Sequence, residues 1–177
     1  MFQQRAPRGR RGNIDPVRDR AYGRGMSGWR PAQRIRVVAV GVAHRDGRLL
    51  AFEVLCDDGR LKGVRPPGGG VAFGETTRAA LQREFREELG TGIAVEGPPA
   101  VLENVFTHHG VTGHEIVFAY PVRLEDARLY AADRLTIRED NGDVLETGWF
   151  AVEALAAGRV VLFPDGLLDL LPGMGVV

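Results

Sequence analysis

The sequence predicts a single α/β domain in which a mixed β-sheet lies between helical layers. Three observations carry that expectation. Branched apolar runs open the ordered part of the chain, a glycine-rich stretch leads into one long amphipathic helix, and short helical segments close it. A chain of 177 residues is long enough for one domain with a sizeable core.

The elements follow in order. Residues 35–43 are an apolar, Val-rich run suited to a strand covered on both faces. Arg45, Asp46 and Gly47 turn the chain into a second strand at 49–56, and Asp57, Asp58 and Gly59 turn it into a third at 61–65. The stretch from Pro66 and Pro67 through Gly68, Gly69 and Gly70 reads as too rigid and too bare for a helix or a regular strand. Residues 75–89 contain no Gly or Pro and are rich in helix formers, so a helix of about four turns is expected. Within it Leu81, Phe85 and Leu89 recur every four residues and form a core-facing stripe. Strands are expected at 101–109 and 116–124, with 110–113 as the hairpin connection, and a short one at Trp149 and Phe150. Residues 152–157 read as a short helix ended by Gly158, and Pro164 opens another that stops before Pro172.

Formal net charge is zero but unevenly spread. Residues 1–30 hold eight Arg against Asp15 and Asp19, a net of +6, so residues 31–177 carry a net of −6. The basic segment is poor in apolar residues and aperiodic, so residues 1–30 are expected to be a disordered tail and 31–177 the folded domain. No apolar stretch reaches the length of a membrane span and no signal segment opens the chain. Cys56 is the only cysteine, which excludes an intrachain disulfide and a thiolate metal cluster; its neighbours Val54 and Leu55 favour a buried thiol. A reduced, cytoplasmic protein without membrane partners is the expectation.

The chemistry concentrates in residues 69–90. They spell G-x5-E-x7-R-E-x-x-E-E-x-G, through Gly69, Glu75, Arg83, Glu84, Glu87, Glu88 and Gly90. Glu84, Glu87 and Glu88 stand at i, i+3 and i+4 of the helix, so their carboxylates neighbour one another and repel unless a cation lies between them. Mg2+ suits such a set, because it takes carboxylate oxygens and completes its shell with water and substrate phosphates. A solvated surface face would explain two glutamates standing alone. It does not explain seven fixed residues, which arise by chance in roughly one chain of this length in a hundred thousand.

The pattern resembles the Nudix box, the signature of hydrolases that split nucleoside diphosphates linked to another moiety. Two positions differ from the usual pattern: Phe85 stands at a commonly aliphatic site, and Thr91 replaces the bulky aliphatic after the last glycine. The acidic residue that many relatives carry before Gly74 is replaced by Ala72 or Phe73. The resemblance implies a Nudix-type α/β/α sandwich with a mixed β-sheet, and an Mg2+- or Mn2+-dependent pyrophosphohydrolase acting on a small nucleotide. It further implies that Glu84, Glu87 and Glu88 hold metal with the Gly68 carbonyl as a further ligand. Either Glu84 or a carboxylate outside the box would then act as base, with Arg83 orienting carboxylates and Glu75 at the helix start reaching back to it. Glu115, Glu103, Glu139 and Glu146 are the candidates for an extra carboxylate, Glu115 foremost. Arg65, Gly69 and Gly70 are candidates for substrate contact, Arg65 as a phosphate partner or as the partner of an acid at the sheet edge. His108, His109 and His114 surround the hairpin; their spacing fits no common zinc pattern, and a substrate-facing role for one of them stands against plain solvation. Other readings are a nucleotide-binding sensor without turnover, which would typically have lost box acids, and an RNA-end hydrolase, for which only the basic segment speaks. A homodimer is compatible with all of these, and no nucleic-acid partner is expected for the leading reading.

Overall fold

The computed structural model describes residues 30–56, 58–132, 134–138 and 144–176, with the backbone alone for 134–138 and 144–146. The basic segment up to residue 29, Glu139 and the Glu146 side chain thus lie outside the described residues.

Among the described residues, two five-stranded sheets build the domain. Strand β1 (Ile35–Val42) is central to the first, pairing in parallel with β8 (Val111–Leu124) and antiparallel with β5 (Gly68–Gly70). The long β8 serves two further partners, β7 (Ala100–His108) over its first part and β6 (Ile93–Val95) over its last. In the second sheet β3 (Arg48–Leu55) pairs with β2 (His44–Arg45), β4 (Leu61–Arg65) and β10 (Val144–Ala151), and β10 pairs with β9 (Arg134–Arg138). Helix α1 (Thr77–Leu89) covers one face; α2 (Arg128–Ala131), α3 (Val152–Ala156), α4 (Leu167–Leu170) and a 3-10 turn (Pro172–Met174) complete the elements.

Strand alternation sends residues to two cores. Val38, Val40, Val42, Val117 and Ala119 pack with Leu49, Val64, Leu155, Leu167 and Leu171 on the face of the short helices. Ala39, Leu50, Tyr120 and Val122 pack on the other face against Leu81 and Phe85 of α1. Leu81 and Phe85 are wholly buried, each worth about 2 kcal/mol, and this stripe fixes which side of α1 its glutamates can occupy. Among the described residues no helix is long and apolar enough to cross a membrane.

Several elements depart from the sequence reading. Gly68, Gly69 and Gly70 form a strand after all, opposite Val40, Ala39 and Val38. Without side chains they can lie against the buried middle of β1. At Gly68 the backbone has φ 134, and a Cβ there would collide with the Ala39 carbonyl. Helix α1 starts two residues late, because Thr76 is its N-cap and accepts from the Ala79 N–H; Glu75 precedes the helix and does not sit in its first turn. The hairpin turn is only His109 and Gly110, both at positive φ as a type I′ turn requires, so residues 111–113 belong to β8. The strand at Trp149 and Phe150 extends over eight residues, and the last helix begins at Leu167, not at Pro164. Cys56 is half-buried and not enclosed, since it sits where β3 gives way to the turn into β4.

Candidate active site

Helix α1 is anchored at both ends so that its acidic side faces β5. At the start, the Thr77 and Tyr120 hydroxyls lie 2.6 Å apart, and at the end Gly90 adopts a left-handed conformation that stops the helix. Between them Arg83 gathers the acids. Its Nε donates to Glu75 Oε1 at 3.1 Å, and its Nη1 donates to Glu84 Oε1 at 2.7 Å and to Glu87 Oε2 at 3.2 Å. Its Nη2 donates to Glu75 Oε2 at 3.1 Å and to the Gly70 carbonyl at 3.0 Å. One guanidinium therefore ties three carboxylates to the β5 backbone. Glu75 also accepts from the Ala72 N–H at 3.1 Å.

A second cluster lies beside the first. Glu88, buried, accepts from the Gly68 N–H at 3.1 Å and stands 3.8 Å from Arg65 Nη2. Arg65, also buried, donates to the Gly68 carbonyl at 3.1 Å and stacks its guanidinium 5.2 Å from the Phe52 ring centre. Gly69 completes the arrangement: a Cβ there would come within 2.5 Å of the Glu84 carboxylate, so the bare backbone is what admits that carboxylate.

The electrostatics follow from this packing. Hydrogen bonds from Arg83, with the Ala72 N–H adding to them, hold the Glu75 carboxyl below its usual range. Glu84 goes the other way: burial pushes its carboxyl up and outweighs the pull of Arg83, and Glu87 adds to the rise. The Arg83 guanidinium is held more firmly protonated than usual, first by its bonds to Glu75. Four acids thus face two guanidiniums in the two clusters, and a surplus of negative charge remains.

That surplus is the test of whether a divalent cation fits. The donors are hard oxygens on one side of a rigid helix, with a side-chain-free strand opposite, which is the chemistry Mg2+ or Mn2+ uses. Among the described residues no three acidic, histidine or cysteine groups already stand together as a metal cage. Arg83 acts as the stand-in cation on one oxygen of each of two acids, Glu84 Oε1 and Glu87 Oε2, and each carboxylate has a second oxygen with which to meet a metal while Arg83 holds it in place.

The structure brings together Arg65, Gly68, Gly69, Gly70, Glu75, Arg83, Glu84, Glu87 and Glu88. It does not bring Glu115 to them. Glu115 is buried on the sheet face opposite α1 and accepts from Arg36 Nη1 at 3.2 Å. Glu103 is exposed and pairs with His114 at 2.8 Å. The sequence reading missed Phe52 as the platform for Arg65 and Tyr120 as the helix anchor; Phe52 is the one aromatic of β3, whereas Tyr120 shares β8 with Phe118 and nothing local singles it out.

A mixed α/β fold that sets an acidic helix against a glycine strand is an arrangement suited to a divalent cation meeting a phosphate chain. The NUDIX domain family matches residues 32–171, and the chain belongs to the Nudix family. Among solved structures it is similar to the E. coli ORF135 protein (24% identity, TM-score 0.50, covering 78% of this chain and 87% of that one). It is likewise similar to a NUDIX hydrolase from Nitrosomonas europaea (20% identity, TM-score 0.54, covering 80% and 88%). No curated protein matches its sequence. Nudix hydrolases act on small nucleotide substrates and generally need a divalent metal.

Proposed function

We propose that this chain is an Mg2+- or Mn2+-dependent pyrophosphohydrolase that cleaves the diphosphate linkage of a nucleoside diphosphate derivative. The observation that carries this reading is the surplus of carboxylate over guanidinium between α1 and β5. Glu84, Glu87 and Glu88 would hold the metal, with the Gly68 carbonyl as a further ligand. When bound, the metal supplies activation of water and neutralisation of charge on phosphate oxygens.

The chain's own residues set the rest. Arg83 positions Glu75, Glu84 and Glu87 against the Gly70 carbonyl and touches no substrate. Arg65 holds Glu88 and the Gly68 carbonyl, and its flat guanidinium on Phe52 offers the phosphate chain a fixed positive charge. Glu84, whose carboxyl is pushed up by burial, is the base within the box. A sensor without turnover has no use for a complete acidic set, which is why the enzymatic reading is preferred. The domain itself is residues 31–177, a division supported by the family match, with residues 1–30 as a tail.

The test is a screen of purified protein with Mg2+ against nucleoside triphosphates, nucleotide sugars, dinucleoside polyphosphates and coenzyme A. At least one is expected to be split at a phosphoanhydride, with activity lost in chelator, restored by Mg2+ or Mn2+ and poorly supported by Ca2+, which prefers more ligands at longer distance. Full turnover in chelator would remove the mechanism.

A further inference from the structure

The acidic cluster stands at the border of a sheet face that α1 covers only in part. Residues paired across a sheet point to the same side, so strand register tells which groups share that face. Gly69 lies opposite Ala39, Ala39 opposite Phe118, and Phe118 opposite Val101. A Cβ on Gly69 would meet Glu84, and Phe118 packs against the core that contains Leu81 and Phe85, so this row is on the α1 side. The two rows beyond it are Val37, Ile116 and Glu103, then Ile35, His114 and Val105. Helix α1 lies over the opposite end of the face, where its Phe85 sits on Gly41 and its Thr77 meets Tyr120. It leaves Ile35, Val37, Val101 and Val105 exposed.

This bare part is apolar except at its centre. There Glu103 Oε1 and His114 Nε2 lie 2.8 Å apart, and since a carboxylate only accepts, the histidine donates. That bond orients the carboxylate and leaves Oε2 to take another donor. Of the three hairpin histidines His114 is the one on this face: His108 is buried on the opposite side beside Lys62, and His109 forms the turn. Along the β5 side of the face the Val71 N–H donates to the Val37 carbonyl, and Phe73, two residues further, is wholly exposed. An apolar floor, a free aromatic ring and one oriented acceptor group suit a flat ring with donors on its rim. Continuity with the cluster that faces phosphate makes that ring the base of a nucleotide. From β5 across β1 and β8 to β7 is three strand spacings, about 14 Å, so a nucleoside can span the face with its phosphate at Gly69 and its base at Glu103.

The carboxylate discriminates among bases. Guanine presents two adjacent donors, N1–H and the 2-amino group, which the two oxygens of a carboxylate accept side by side. Adenine and cytosine present a donor beside a lone pair, and uracil a donor between two carbonyls, so each sets an acceptor against a carboxylate oxygen. Resting on the hydrolase reading above, we infer that the open face beside α1 seats the base of the substrate and that Glu103, oriented by His114, makes the substrate a guanine nucleotide. Val37, Ile116 and Phe118 form the floor, and Phe73 supplies the stacking ring.

Two matched series test this: GTP against ITP and ATP, and GDP-glucose against ADP-glucose. With Mg2+ the full chain is expected to favour guanine over adenine by roughly tenfold in kcat/KM in at least one series, the worth of one charge-assisted hydrogen bond. ITP, which lacks only the 2-amino group, should fall between GTP and ATP. Glu103 is exposed, so Glu103→Gln keeps the fold; its carboxamide offers one acceptor and one donor, and the preference should shift toward adenine. Phe73→Ala should raise KM for the nucleotides of both series more than it lowers kcat. A parent ratio near one in both series, a preference for adenine, or a guanine preference unchanged in Glu103→Gln overturns the proposal. Binding is read separately, by following the His114 imidazole resonances while titrating GMP or AMP. Larger shifts with GMP that Glu103→Gln abolishes support the base site even if no nucleotide is turned over, in which case the hydrolase reading alone fails. Equal shifts with both nucleotides, or none, count against the site.

Discussion

Among the described residues, two places bury a carboxylate against a guanidinium, and they are built differently. On the face away from α1, Glu115 meets Arg36 at 3.2 Å, both nearly inaccessible to solvent. Between α1 and β5, Glu75, Glu84, Glu87 and Glu88 share Arg83 and Arg65. The first arrangement balances a charge and joins two parallel strands at one register position. The second leaves acid in excess on a helix that its buried stripe prevents from turning. Burial of an ion pair therefore does not mark the site; excess of one sign does. The two regions should accordingly respond in opposite ways to loss of a carboxylate.

The largest effect is expected at Glu88. Glu88→Gln keeps an oxygen for the Gly68 N–H but removes the charge, and should cut turnover by about a hundredfold per folded molecule, the folded fraction being read on the same sample because Arg65 is buried beside it. Near-normal turnover in this variant would remove Glu88 from the metal set. Gly69→Val should come next. No positive φ is required at Gly69, so the strand tolerates a side chain there, but the branched group would drive the flexible Glu84 carboxylate off β5. Activity should fall on the order of tenfold to a hundredfold, whereas the melting temperature should drop by no more than about 5 °C. Measuring Mg2+ affinity and melting on one sample separates the two, and a variant that binds Mg2+ and turns over like the parent would make Gly69 a mere connector.

At the balanced pair the order is reversed. Glu115→Ala leaves Arg36 buried without this partner and should cost about 3 kcal/mol of stability, read by denaturant unfolding, with modest loss of turnover per folded molecule. The isosteric Glu115→Gln sharpens the point. If it abolishes turnover at an unchanged melting temperature, Glu115 acts in the reaction and the division between the two regions is wrong.

What was legible in the sequence was local. The i, i+3, i+4 spacing of the acids and the four-residue recurrence of Leu81 and Phe85 are properties of a single helix, so the orientation of α1 could be read before any tertiary contact was known. The strand character of Gly68, Gly69 and Gly70 was not legible, because it comes from pairing with β1 and not from propensity. Contacts between distant positions were equally hidden: Arg36 and Glu115 are 79 residues apart, and Lys62 and His108 are 46 apart. Nothing in a window around Glu115 shows that its partner is Arg36 on a neighbouring strand. The hairpin misplacement had a smaller cause: the turn begins at His109, a non-glycine residue at positive φ, and nothing in the sequence marks that position as a turn.

The smallest effect is the most diagnostic of why the acidic side needs a cation. Burial raises the Glu84 carboxyl above its ordinary value of 4.5 despite Arg83. In metal-free protein the folded state then binds more protons than the unfolded state between that value and the raised one. Stability from this group must fall as pH rises through the window and stay at its lower level above it. Glu84→Gln cannot titrate at this position. In chelator the variant should therefore be more stable than the parent at neutral pH, and its advantage should shrink as pH falls through the raised value toward 4.5. Urea unfolding of both proteins across that range reads the difference directly. Adding Mg2+ should reverse the order at neutral pH, because only the parent has the carboxylate to hold it. Parallel curves in chelator would mean that Arg83 alone neutralises Glu84, and the excess of acid on α1 would then have to reside with Glu87 and Glu88.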